Sequence, residues 1–118
     1  MTTTDKLIQS FATTGRIIHM QAEGLSHEQM MIQPPFRGNC FNWVVGHIAT
    51  NRDQALRLLG VEPLFNEAEA ALYQTGSDPM TAAETAIDSQ RLLQTIDKVT
   101  EKFGKGKLQV GAARKTTQ

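Results

Sequence analysis

The segment with the clearest helical pattern is Asn39-Cys-Phe-Asn-Trp-Val-Val-Gly-His-Ile-Ala-Thr-Asn-Arg52, and its pattern continues to Gly60. Apolar residues recur there at three- and four-residue steps, which is the spacing of one face of an α-helix. Asn39 or Asn42 can cap the start of this helix, and Gly60 can end it. The predicted core stripe consists of Phe41, Val44, Val45, Ile48, Ala55, Leu56 and Leu59. The polar residues expected to face water are Arg52, Asp53 and Arg57.

The same periodicity predicts one long helix before this stretch and another after it. The first can start at Thr4 or Asp5 and end at Gly24. Its predicted apolar face consists of Leu7, Ile8, Phe11, Gly15, Ile18 and Ala22. The other is predicted to open with the capping box Thr81-Ala-Ala-Glu84 and to end at Gly104. Its predicted apolar face consists of Ala82, Ala86, Leu92, Leu93, Ile96, Val99 and Phe103.

Shorter elements connect the three long helices. Ser26-His-Glu-Gln29 is a capping box ahead of a short helix, and 66–73 is predicted to form another. Residues 104–118 carry 4 basic residues and no acid, without helical periodicity, and are expected to be a basic loop or tail. No segment has a strand pattern. The sequence therefore predicts a single all-α domain over 1–118.

Composition narrows the class of protein. The 118 residues include 12 basic and 12 acidic side chains, so no long-range field favours nucleic acid, and we expect none as a partner. Cys40 is the one cysteine, which fits a reducing compartment. No apolar run approaches the roughly 20 residues that span a bilayer. The first residues lack the layout of a signal peptide. We therefore expect a cytoplasmic protein with no membrane contact.

The number of long helices predicts association. A four-helix bundle buries each apolar stripe against two neighbours, whereas three long helices can leave one groove uncovered. An exposed apolar patch of this kind usually marks an interface. We expect self-association, and a closed, monomeric three-helix bundle is the alternative.

The candidate chemical groups are three histidines and the cysteine. His47 lies one step off the core stripe, with Trp43 and Asn51 one turn to either side, which suits a metal ligand or an acid–base group. The alternative is a half-buried histidine hydrogen-bonded to Asn51 or to a backbone carbonyl. His19 could lie close to His47, but a surface position is the simpler interpretation. His27 is expected to face solvent within its capping box. Cys40, at the start of the central helix, is either a reactive thiol or a small packed group.

From Leu7 to Thr117, the order of these features resembles the DinB-like superfamily, which consists of small helical bundles that include YfiT-type metal hydrolases and thiol-dependent transferases. The most specific part of the resemblance is the helix with Trp43-x-x-Gly46-His47. The resemblance implies that His47 is the first ligand of a three-histidine nickel or zinc site. It also implies a homodimer formed through helix faces.

The sequence departs from that family in its other two ligands. In the family they come from a His-x-x-x-His on a fourth helix, and no residue here matches them. The chain reaches Gln118 about where that helix would begin, so we expect the fourth helix to be absent or truncated and the metal site to be incomplete. Three hypotheses follow: a homodimeric DinB-like protein with His47 as the remnant of a site, a hydrolase or thiol-dependent transferase completed by a partner chain, and a non-catalytic helical interaction module. For the hydrolase or transferase hypothesis, the expected substrate is a small molecule or a thiol.

Overall fold

All regular structure in the described part of the chain is helical. The computed structural model describes residues 2–35, 38–77 and 85–116, the last twelve of these as backbone only. The helices are α1 (Thr3–Ala22), α2 (His27–Met30), α3 (Phe41–Ala55), α4 (Glu67–Ala71) and α5 (Ser89–Thr116), and a 3₁₀ turn over Leu56–Leu59 extends α3. The all-α prediction is confirmed for these residues. None of these helices is both long and apolar enough to cross a bilayer.

The longest helix, α5, packs against both α1 and α3. α1 runs antiparallel to it, since the Phe11 ring meets the Phe103 ring edge-on at 5.1 Å and His19 lies near Asp97, one to two turns earlier in α5. α3 runs in the same direction as α5. The shared core is built from buried residues of all three helices, among them Ile18, Ala22, Val45, Ala49, Leu92, Leu93 and Ile96.

Local capping sets the start of three helices. Ser26 and Gln29 form the predicted capping box of α2, and Asn66 with Glu69 forms another at α4, so the short helix expected there is confirmed. The cap of α1 is Thr2 rather than Thr4 or Asp5. The Thr2 hydroxyl accepts the Asp5 N–H at 3.1 Å, and the Asp5 carboxylate accepts the Thr2 N–H at 3.0 Å. Asp5 is therefore the partner in the box and not the cap itself.

Two glycines that were predicted to end helices lie in the turns after α1 and after the 3₁₀ turn. Gly24 comes two residues after the end of α1 with φ +79°, and Gly60 ends the 3₁₀ turn with φ +70°. Both are in the left-handed region, where a side chain would be strained. Both predicted helix ends are therefore confirmed.

The buried face of α3 differs from the predicted stripe. Cys40 occupies the N-cap position without a side-chain capping bond, so neither Asn39 nor Asn42 caps the helix. Val44 is 40% exposed, whereas the polar Asn42 and Asp53 are buried. The prediction was wrong because it ranked positions by apolarity, whereas these two polar side chains find hydrogen-bond partners in the interior.

Two further exposure predictions also fail. Arg52, expected to face water, lies over the Phe11 ring at 4.1 Å and donates a hydrogen bond to the Phe11 carbonyl at 3.1 Å. This partial burial lowers the pKa of Arg52. Leu7, expected in the core face of α1, is 45% exposed. Arg57 is exposed, as predicted.

The start of α5 lies later in the chain than expected. Asp88 caps it, accepting the Arg91 N–H at 3.2 Å, and the helix begins at Ser89. Ala86 therefore precedes the helix, although it still packs against the core. The predicted capping box Thr81–Glu84, together with Ala82, lies outside the described residues.

The end of α5 also differs from the prediction. The helix continues through Gly104 to Thr116, where the sequence predicted a helix end and then a basic loop or tail. Gly104 does not take the positive φ that Gly60 takes. A glycine inside a helix costs about 1 kcal/mol relative to alanine, which the good helix formers around it can offset. A glycine alone therefore does not end a helix.

Candidate functional site

His47 lies in the middle of α3 with both ring nitrogens in hydrogen bonds. Nδ1 is 2.8 Å from the carbonyl oxygen of Tyr73, and because a carbonyl only accepts, Nδ1 carries the proton. Nε2 is 3.2 Å from the amide nitrogen of Asn51 and accepts from it. The imidazole stacks on the Trp43 ring at 4.8 Å, with the planes 9° apart. These contacts define an oriented imidazole whose partners are Asn51 and a backbone carbonyl.

Trp43 and His47 together hold the segment that follows α4. The Trp43 indole N–H donates to the Ser77 hydroxyl at 3.1 Å, while His47 binds the Tyr73 carbonyl. The two side chains are one helical turn apart and therefore lie on the same face of α3. The Trp-x-x-Gly-His pattern thus forms a docking face for residues 73–77.

Gly46 lets this segment approach the α3 backbone closely. A Cβ placed on Gly46 would lie 2.2 Å from Cε1 and 2.3 Å from Cδ1 of Tyr73, far inside van der Waals contact. The Tyr73 ring therefore packs directly against the helix backbone. The glycine next to His47 has a packing role that the sequence did not reveal.

The Tyr73 hydroxyl belongs to a fully buried hydrogen-bond network. It donates to the Asn42 side-chain oxygen at 2.8 Å and accepts the Ile87 N–H at 3.0 Å. The Asn42 amide group donates to the Ile87 carbonyl at 2.9 Å and to the Ser89 hydroxyl at 2.8 Å. Burial raises the pKa of Tyr73 to about 12. The network joins α3, the segment after α4 and the start of α5.

His27 extends the network to α2. Its Nδ1 accepts the Ser89 N–H at 3.2 Å and lies 2.7 Å from the Ser89 hydroxyl oxygen. The expected solvent-facing His27 is thus partly buried, because Ser89 is packed against it. Ser89 and His27 have the spacing of a nucleophile and its base, but Ser89 is fully buried and cannot meet a substrate.

His19 lies on a different surface from His47. Its Nε2 is 3.1 Å from both carboxylate oxygens of Asp97 on α5. Both side chains line an open groove between α1 and α5, with a cavity of about 610 Å³. The hydrogen bonds of His47, in contrast, run to α3 and to the segment after α4. The two histidines therefore have separate sets of partners.

Cys40 is 1% exposed and packs in the core. A thiol without solvent access is unsuited to attack a substrate. The burial of Cys40 therefore favours its interpretation as a small packed group.

The described side chains around His47 provide fewer ligands than a metal ion normally needs. Among the described residues, no three His, Cys, Asp or Glu side chains group closely enough to hold an ion. The Nδ1–H of His47 bonds a carbonyl, as in many metal-binding histidines, while its Nε2 accepts a hydrogen bond from Asn51. A nickel or zinc site normally needs about three protein ligands. The described part of the chain therefore fits one ligand position and not a complete site.

Asp53 and the ion pair of Arg91 with Glu69 have structural roles that the sequence did not predict. The buried Asp53 carboxylate accepts the Leu64 N–H at 2.7 Å and the Phe65 N–H at 2.8 Å, and so fixes the chain after Gly60. Arg91 forms an ion pair with Glu69 that lowers the pKa of the carboxyl and ties α4 to α5. The charged pair was visible in the sequence, but no local spacing links residues 22 positions apart.

Comparisons with family models, with curated proteins and with solved structures find no match for this chain. The described residues form an all-α protein in which Trp43, Gly46 and His47 of α3 hold residues 73–77.

Proposed function

We propose that the chain is a DinB-like helical bundle, that it forms a homodimer through its helix faces, and that His47 is the remaining imidazole of a divalent-metal site for nickel or zinc. The observation that carries this proposal is the hydrogen bond from Nδ1 of His47 to the Tyr73 carbonyl, 2.8 Å long. Ligand histidines commonly donate their other ring N–H to such an acceptor, which fixes the ring and the tautomer.

The residues around His47 support an oriented ligand. Trp43 stacks on one face of the ring, and Gly46 lets Tyr73 come close enough to supply the acceptor. Asn51 donates to Nε2 and would have to turn away before that nitrogen could bind an ion. The residues of the Trp-x-x-Gly-His pattern thus act together on one imidazole.

In this proposal His47 does not by itself complete a catalytic metal site. One imidazole occupies one coordination position, and the sequence contains no histidine after His47. A bound metal would supply an activated water or a coordinated thiolate, the chemistry of a hydrolase or of a thiol-dependent transferase. That activity belongs to an alternative in which a partner chain contributes the missing ligands.

A second candidate function is a non-catalytic helical interaction module in which His47 is structural. The specific observation in its favour is that both nitrogens of His47 are already hydrogen-bonded, to Tyr73 and to Asn51. Here the imidazole serves only to hold residues 73–77 on α3.

The experiment that separates these functions is metal content per chain. The purified protein is loaded with nickel or zinc, desalted and analysed by mass spectrometry, beside His47→Ala and a His19→Ala control. We expect the metal bound at His47 to be lost in His47→Ala and kept in His19→Ala. One metal per chain would justify activity assays, and one per two chains would indicate a site shared across a dimer.

The interaction module predicts a different result. Without a metal role, wild type and His47→Ala retain no nickel at this position, and the substitution acts only on stability. Removing the donor leaves the Tyr73 carbonyl without its partner, which costs about 1–3 kcal/mol of unfolding free energy for a buried group. Retention of no metal by wild type, together with such a loss of stability, would refute the metal proposal and support the module.

A further inference from the structure

We propose a second metal site, independent of His47, in which His19 and Asp97 of two copies of the chain bind one zinc-class ion between them. The inference rests on the homodimer of the proposed function and names the surface where the copies meet. His19 comes from α1 and Asp97 from α5, so the pair bridges two antiparallel helices. No residue of the docking face on α3 takes part.

The geometry of the pair suits a shared ion. Nε2 of His19 is 3.1 Å from each oxygen of Asp97. Zinc binds imidazole nitrogen and carboxylate oxygen at about 2.0–2.2 Å, which places two ligand atoms of a tetrahedral ion about 3.4 Å apart. The two donors therefore already lie near the separation that one ion requires. Because a carboxylate only accepts, Nε2 carries the proton in this contact, and zinc binding would displace that proton to Nδ1 or to solvent.

The pair is also accessible. The side chain of His19 is 39% exposed and that of Asp97 is 65% exposed, so an ion and a second molecule can reach both. They line the 610 Å³ cavity between α1 and α5, and His19 also lines an adjoining cavity of about 400 Å³. Met20, 73% exposed, lies between the two cavities and offers apolar contact beside the site.

The number of ligands identifies the partner as a second copy. Two protein ligands occupy half of a tetrahedral site, and the described residues provide no third ligand that groups with them. A two-fold axis through the ion would supply the same pair again, which gives two nitrogens and two oxygens. Two carboxylates neutralise the charge of a divalent ion, so the closed site is electrically neutral.

One cation lines the same groove. Arg16 lies one turn before His19 on α1, and its guanidinium donates to the Thr13 hydroxyl at 3.4 Å. This contact turns the arginine back along α1, toward the helix start and away from His19.

The test measures molar mass by light scattering after size exclusion, with the full chain in chelator and then with added zinc chloride. We expect zinc to convert monomer to dimer, or to tighten an existing dimer, with reversal by EDTA. The expected stoichiometry is one zinc per two chains in addition to any zinc bound at His47. His19→Ala and Asp97→Ala should each weaken zinc-dependent dimerisation more than about tenfold, because loss of a ligand exceeds the 10- to 100-fold effect typical of outer-sphere partners. Circular dichroism should show both variants folded, since both positions are partly exposed.

The control is His47→Ala, which should dimerise with zinc as the wild type does. This control separates the two proposals. Metal that is lost in His47→Ala was bound at the docking face, and metal that is lost in His19→Ala was bound between two copies. The inference is overturned if zinc leaves the molar mass and dimer affinity unchanged. It is equally overturned if His47→Ala binds zinc as a monomer, or if His19→Ala dimerises with zinc as well as the wild type.

Discussion

Replacing Gly46 with alanine tests the docking face most directly. The new Cβ would lie 2.2, 2.3 and 2.8 Å from Cε1, Cδ1 and Cγ of Tyr73, whereas carbon atoms in contact are normally about 3.5–4.0 Å apart. The ring must move by more than 1 Å, roughly the difference between these separations. It is not free to do so, because its hydroxyl bonds Asn42 and Ile87 and its carbonyl bonds His47.

In Gly46→Ala, overpacking and lost hydrogen bonds oppose the higher helix propensity of alanine. Overpacking of a well-packed interior costs about 1–3 kcal/mol. Loss or distortion of two buried hydrogen bonds costs a further 1–3 kcal/mol, at about 0.5–1.5 kcal/mol each. The gain from alanine over glycine inside a helix is about 1 kcal/mol. The steric effect wins, and we expect Gly46→Ala to lower the unfolding free energy by about 3 kcal/mol.

The assay is urea unfolding followed by circular dichroism and by the fluorescence of Trp43, the one tryptophan, which stacks on His47 in the native state. The matched control is Gly104→Ala. Gly104 also lies inside a helix, but a Cβ there meets nothing within 4 Å, so the same substitution should stabilise by up to about 1 kcal/mol. If Gly46→Ala is as stable as wild type, or gains stability as Gly104→Ala does, the close approach of Tyr73 to α3 is refuted.

Two further predictions concern buried polar groups. Asp53→Ala leaves the Leu64 and Phe65 N–H groups without their acceptor and should lower the unfolding free energy by about 2–4 kcal/mol. Arg57→Ala, at an exposed position, should change the unfolding free energy by less than about 0.5 kcal/mol. Equal urea midpoints for the two variants would contradict the buried role of Asp53. The pKa of Tyr73 is raised from 10.0 to about 12, so its contribution to stability is complete below pH 10 and is lost as the pH rises toward 12. Thermal melts should show an alkaline loss of stability that is smaller in Tyr73→Phe, and an identical pH dependence in the two proteins would refute the buried phenol.

Local features of the sequence predicted much of the secondary structure. The capping box Ser26–Gln29 and the end of the 3₁₀ turn at Gly60 need only neighbouring residues, and both are confirmed. Gly104 shows the limit of such rules, since a glycine ends a helix only when it takes a left-handed φ. Its sequence neighbours do not determine that conformation.

The candidate site was only partly predictable. His47 was singled out from its position and neighbours, and Asn51 was named in advance as a hydrogen-bond partner. The carbonyl that binds its Nδ1 belongs to Tyr73, 26 residues away, and no spacing rule identifies that residue. For the same reason Gly46 stood in the motif without an explained role.

Periodicity and capping act within a few residues, so the sequence predicted the helical character of the described residues and the starts of α2 and α4. Which polar side chains turn inward depends instead on contacts between distant parts of the chain. Asn42 and Asp53 are polar residues of α3 that are nevertheless buried. They are buried because Ser89, Tyr73 and the backbone after Gly60 bring complementary donors and acceptors to them. A buried polar group is stable only when its partner is present, and here the partners come from distant parts of the chain.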